Sequence, residues 1–187
     1  MTVERLSWKQ TFLRLRADHS RLVALLARQQ DGPLTSAFLH PSFVCVILYR
    51  ISNRFFRAGH RHVARFFWHL NVLLTGADIA APADLGEGLV ILNPPGTAIM
   101  GKAGRNLTVM ACAGLGSEMG RLEDIGAGPG LPVVGDDVIL EPHSGILGPV
   151  KIGNRVRVGA GIGLTYDVPD DTVVEGPPPR FLRRGAT

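Results

Sequence analysis

The chain has 187 residues, with 20 Lys and Arg against 16 Asp and Glu and a net charge of +4. That length allows one domain, or one domain with a small cap, and 45% hydrophobic residues is enough for a real core. The basic excess forms no long Lys/Arg block with interleaved aromatics, which argues against nucleic acid as a partner.

The two cysteines, Cys45 and Cys112, make no CxxC pair and no Cys/His cluster with zinc spacing. No metal is therefore expected, and a reduced, cytoplasmic protein is. Charged residues Glu4, Lys9, Arg14, Arg16 and Asp18 argue against a signal peptide. The most apolar stretches, 43–49 and 63–74, are too short to span a bilayer.

Residues 1–76 read as an α-helical N-terminal region. Phe12, Leu15, Leu22, Leu25 and Leu26 give an amphipathic helix over 11–28, and Asp31-Gly32-Pro33 breaks it. Pro41 suits the first turn of a second helix carrying Phe43, Val46, Ile47, Ile51 and Phe55 and ending near Gly59. A third runs from about Arg61 to Leu74, and Thr75-Gly76 hands over to the next region. The polar faces of these helices (Arg50, Arg54, Arg57, His60, Arg61, His62, Arg65) read as solvated. Contact with an anionic membrane surface is the weaker alternative.

From 77 to 187 the pattern changes. Ile79, Leu85, Ile91, Thr97, Ala103, Val109 and Leu115 fall six residues apart, and Val134, Leu140, Ile146, Ile152, Val158 and Leu164 resume the spacing. A period of six fits neither a helix nor a single half-buried strand. It fits a parallel β-helix of hexapeptide repeats, in which each hexad supplies one short strand and one corner. Gly86, Gly104, Gly116, Gly135, Gly153 and Gly159 each follow a beat, where the chain turns. The step from Leu115 to Val134 is too long for one hexad, so 116–132 is expected to protrude as a loop. The end of the chain reads as a cap that stops the stack.

Several motifs occur in one order: His40-Pro41-Ser42-Phe43, Tyr49-Arg50-Ile51-Ser52, Ala77-Asp78-Ile79, Gly88-Leu89-Val90-Ile91, the hexads, and Asp167-Val168-Pro169 followed by Gly176-Pro177-Pro178-Pro179-Arg180. Over roughly 38–183 this order resembles the serine acetyltransferase branch of the hexapeptide acyltransferases. The resemblance implies a left-handed parallel β-helix and a homotrimer, with two trimers pairing as a further option. It also implies acetyl-CoA bound between subunits as acyl donor to a hydroxyl. The family's base is a His just after the Gly-Leu-x-Ile motif, and here Asn93 takes that place, with Leu92 at the neighbouring Asp. The second family His falls at Leu131. Only Asp78 keeps its family position.

An amide has no titratable lone pair near neutral pH, so Asn93 cannot serve as a general base. Its remaining role is a hydrogen bond to the acceptor or the oxyanion. His143 is the one His inside the hexad region and is the candidate replacement, oriented by Glu141 or by Asp78 of another subunit. Glu118 and Glu123 in the loop are further candidates, as desolvated carboxylates. Cys112 could be a nucleophile, but no His lies near it in sequence, and it reads as a buried cysteine. The CoA site is expected at backbone groups of Gly145, Gly159, Ala160 and Gly161, with Lys151, Arg157 and Arg180 on the phosphates. The function expected is CoA-dependent O-acetyl transfer, with an altered active site, to serine, another small metabolite or a sugar hydroxyl. A catalytically inactive trimeric scaffold is the alternative, and a different reaction on the same scaffold is the third reading.

Overall fold

A computed structural model of the chain describes residues 6–28 and 38–177. Helix α1 spans Trp8–Arg28, α2 Pro41–Arg57 and α3 Arg61–Thr75. The α1 start is set by a capping box: Ser7 N–H donates to Gln10 Oε1 at 2.7 Å, and Gln10 N–H returns to Ser7 Oγ at 3.2 Å. In α2, Pro41 sits in the first turn and the His40 ring accepts from Ser42 N–H. Gly76, at φ 71°, ends α3 in the left-handed conformation.

The rest of the described chain winds in triangular coils whose strands stack in three parallel sheets. The first sheet holds β1 (Asp78–Ile79), β4 (Ala98–Ile99), β7 (Gly114–Gly116), β10 (Gly145–Leu147) and β13 (Gly163–Leu164). The second holds β2 (Asp84–Leu85), β5 (Lys102–Ala103), β8 (Val133–Val134) and β11 (Lys151–Ile152). The third holds β3 (Val90–Ile91), β6 (Thr108–Val109), β9 (Ile139–Leu140), β12 (Arg157–Val158) and β14 (Val173–Val174). One side chain per strand points inward. Ile79, Leu85, Ile91, Ile99, Val109, Leu140, Ile146, Val158 and Leu164 are all within 1% of complete burial and form one continuous core. Each such Leu or Ile contributes about 1.5–3 kcal/mol through its burial.

One expected beat falls elsewhere. Ile99 pairs with Ile79 and Leu115, so it takes the inward strand position that the six-residue spacing assigns to Thr97. The corner before β4 contains Pro94 and Pro95 as two extra residues, and the Met100-Gly101 turn after it is two shorter. The two changes cancel within one coil, so the spacing from Ile91 to Ala103 conceals them. Thr97 is buried in the widened corner, and its hydroxyl has no hydrogen-bond partner.

The helices pack around the first coil, α3 against β1 and α1 and α2 against β3, with Tyr49 reaching Ala83 O at 2.8 Å. Arg50 is buried rather than solvated, and its guanidinium bonds both Asp18 carboxylate oxygens, at 2.9 and 3.0 Å. It also donates to the carbonyls of Leu85 and Gly86 at 2.6 Å each. Asp18 in turn accepts from Leu89 N–H at 2.7 Å. Burial pulls the Arg50 pKa down, but the Asp18 carboxylate outweighs it and the net shift is upward. Arg21 reaches the Gly88 and Leu107 carbonyls, and Arg57 pairs with Asp84 at 2.6 Å. Arg50 and Arg57 therefore leave the solvated face expected for them, because partners distant in sequence claim their charges.

Candidate active site

At two of the corners, positive-φ residues recur and stack from coil to coil. At the corner leading into the third sheet the stack is Gly88, Asn106, Asp137, Arg155 and Asp171. At the corner leading into the first sheet it is Gly76, Gly96, Cys112, His143 and Gly161. Backbone bonds hold the second register: His143 N–H donates to Ala111 O at 2.9 Å and Gly161 N–H to Pro142 O at 3.0 Å.

This second corner borders an open cleft of about 580 Å³ on the outer face of the first sheet. Its floor is Ala98, Gly114, Gly116, Gly145 and Gly163, and its corner wall includes Gly96, Cys112, His143 and Gly161. A Cβ on Gly114 would stand 2.0 Å from Ala98 O, whereas one on Gly145 or Gly163 would meet nothing within 4 Å. Met100, Leu147 and Ser117 complete the rim.

His143 is exposed in the cleft, as a replacement base requires. Glu141 does not orient it. That carboxylate is held by Arg157, whose Nε donates at 2.6 Å, and by Ala160 N–H at 3.0 Å. The same bond ties up Arg157, one of the expected phosphate contacts. Of the four expected backbone contacts, Gly145 and Gly161 line the cleft while Gly159 and Ala160 do not. All four N–H groups are already engaged, by Ile162 O, Pro142 O, Val174 O and the Glu141 carboxylate respectively. Only carbonyls remain for a ligand there.

The other expected site residues lie apart from the cleft wall. Asp78 accepts from the Trp68 indole N–H at 2.7 Å. Asn93 is exposed at φ 58°, on the widened corner. Glu118 is paired with Arg121 at 3.1 Å, and Arg121 also reaches Thr165 O, which fastens the loop to the last coil. Lys151 lines a separate hollow of about 510 Å³ with Arg121, Tyr166 and Asp167. Arg180 lies outside the described residues. Among the described residues no group of His, Cys, Asp and Glu is placed to hold a metal ion, and no helix is long and apolar enough to cross a membrane.

The expectation that Cys112 is buried is overturned. The residue is exposed and lies in the same cleft as His143. The signal was present in the register: Cys112 precedes the inward Leu115 by the same three residues that separate His143 from Ile146, a corner position and not a core one.

Comparison with known proteins agrees with this architecture. The family model described as "Bacterial transferase hexapeptide (six repeats)" matches residues 132–161. The serine acetyltransferase of Mycobacterium tuberculosis is 30% identical over 162 residues, covering 83% of this chain and 69% of that protein. That of Synechococcus elongatus is 29% identical over 150 residues, covering 78% of this chain and 58% of that protein. A solved serine acetyltransferase in complex with CoA superposes with a TM-score of 0.78 at 18% identity, over 94% of this chain and 71% of that one. The chain thus spans about six- to seven-tenths of the length of these proteins. The repeats and the shared fold together imply a left-handed β-helix.

Proposed function

The chain belongs to the serine acetyltransferase family, and from that premise we propose that it transfers an acetyl group from acetyl-CoA to a hydroxyl at the cleft beside His143. Serine, another small metabolite or a sugar hydroxyl is the acceptor. The observation that carries this reading is a titratable imidazole exposed on the wall of a cleft large enough for the reacting ends of both substrates. Relatives named as serine acetyltransferases, and a fold neighbour solved with CoA, support the donor.

The chemistry assigned to these residues is direct. His143 takes the acceptor's proton as its oxygen attacks the thioester carbonyl, and returns it to the leaving CoA sulfur. Cleft-floor N–H groups such as those of Gly114 and Gly145 are spent in the coil ladder. Oxyanion support then falls to side chains of the cleft, where Ser117 offers a hydroxyl. Lys151, in the neighbouring hollow, is the cation assigned to phosphate groups. A homotrimer would close the cleft by setting a neighbouring subunit against it. Met100 and Leu147, each 41% exposed on the rim, are apolar enough to be covered in this way.

Calorimetry with acetyl-CoA and CoA tests the reading. Micromolar binding, followed by hydroxyl-dependent release of free CoA, is the expected result. Binding without release under any acceptor would leave a catalytically inactive ligand-binding trimer. Absence of binding at millimolar CoA would remove acyl transfer altogether.

A further inference from the structure

Among the described residues, seven other than glycine have positive φ: Asn93, Asn106, Cys112, Asp137, His143, Arg155 and Asp171. Four are Asn or Asp, the side chains that tolerate this region best. Arg155 has an evident structural reason, since its guanidinium bonds Asp171 at 2.5 and 2.7 Å. His143 (φ 60°) is also of a type enriched there, but Cys112 (φ 55°) has neither excuse. Backbone strain of this kind costs about 1–3 kcal/mol and gathers at functional sites.

The two are also neighbours. Asn106 and Asp137 are 31 residues apart, occupy equivalent corner positions on adjacent coils, and their side chains bond at 2.8 Å. Cys112 and His143 have the same separation, the same corner conformation and the same adjacent coils. Coil spacing of about 4.8 Å brings such side chains within reach of each other. Both open into one cleft. The thiol now points to Pro95 O, 3.7 Å away on the widened corner, and a Cβ on Gly96 would stand 2.8 Å from the sulfur. Glycine at 96 is what leaves the sulfur its room.

We propose that Cys112 is a nucleophile that carries the acyl group between donor and acceptor, with His143 as its base. This rests on the acyl-transfer reading of the same cleft. In the first half, the Cys112 proton passes to the His143 imidazole and the sulfur attacks the acetyl-CoA carbonyl. The carbonyl–CoA sulfur bond breaks, and the CoA thiolate takes the proton from the imidazolium. One thioester replaces another, so no further reactant is needed. In the second half the acceptor hydroxyl gives its proton to His143, its oxygen attacks the Cys112 thioester, and the proton returns to the cysteine sulfur as the carbon–sulfur bond breaks. His143 thus serves both halves, and no second histidine is required.

The test is to mix the protein with acetyl-CoA alone, quench, and measure intact mass and peptide mass. The expected result is an acetyl adduct on Cys112 that hydroxylamine removes, with a burst of about one CoA per chain. The adduct should vanish in Cys112→Ala and form at least tenfold more slowly in His143→Ala. Acceptor-dependent turnover with no adduct, and undiminished in Cys112→Ala, would overturn the relay and leave direct transfer standing. Failure to bind acetyl-CoA would overturn the acyl-transfer reading and the relay with it. Iodoacetamide supplies a readout that needs no CoA. Cys112 should react about tenfold faster than a free thiol, and lose that advantage in His143→Ala. An ordinary rate in both proteins would overturn the pairing. Cys45 serves as the internal control, since burial pushes its thiol up to about 12.

Discussion

The two left-handed corner columns share a backbone and differ in everything else. Along one, side chains satisfy one another: Asn106 bonds Asp137, Arg155 bonds Asp171, and beside them Arg105 bonds Asp136 and Asn154 bonds Asp170. The helices close on that same corner through Arg50, Arg21 and Asp18. Along the other column, Cys112 and His143 hold equivalent positions, face a cleft, and are bordered by glycines. A repeat fold supplies identical corners without cost to the coil, so one can be spent on stability and another left to chemistry. The difference lies in side-chain chemistry at a fixed φ, which is why it points to function.

The largest expected effect breaks the open column. His143→Ala should lower turnover by about 10²–10⁴-fold while lowering the melting temperature only slightly, because alanine holds the same φ of 60° a little less well than histidine. Steady-state kinetics beside thermal melts would separate the two effects.

Breaking the closed column should do the reverse. Asp18→Ala strands the buried Arg50 charge and is expected to cost about 3–5 kcal/mol in urea unfolding. A loss below 1 kcal/mol would mean that the helices are not anchored at this corner.

Glycine substitutions sharpen the contrast. A Cβ on Gly86, in the closed corner, would meet Gly104 O at 2.4 Å and Gly104 C at 2.5 Å. Gly86→Ala should therefore cost about 3 kcal/mol. Gly161, in the open column, has nothing within 4 Å of such a Cβ. Gly161→Ala should cost only its left-handed strain, about 1–2 kcal/mol.

The smallest effect is electrostatic. Backbone N–H groups hold Asp136 and Asp170 below the usual carboxylate range, Arg105 N–H for the first and Asn154 N–H for the second. A depressed folded-state pKa contributes stability above the unfolded value of about 4, and that stability is lost as pH falls through the folded value. Melting temperature should therefore drop below about pH 4, and less steeply in Asp136→Asn. No such drop should trace to the open column, which carries no carboxylate.

The coil architecture was legible because inward positions must be apolar in every coil, and Leu85, Ile91, Val109, Leu140 and Val158 are. The shift at Thr97 was not, since an insertion and a deletion in one coil preserve the count. Arg50 looked solvated because nothing local reveals a carboxylate 32 residues upstream. His143 could be singled out as the one histidine among the hexads. Cys112 could be named as a possible nucleophile but not as an exposed one, because cysteine is among the most buried residue types and its exposure comes from the corner conformation. The cleft joins residues on separate coils, and only the stacking brings them together.

The most direct measurement is acetyl-CoA turnover in His143→Asn, scored as free CoA released with acceptor present. Asparagine suits the left-handed corner, so fold and donor affinity should persist while the titratable group is lost. A fall of at least a hundredfold, with acetyl-CoA affinity and melting temperature unchanged, is expected if the open column is the reaction site. Turnover equal to that of the unaltered protein would contradict it.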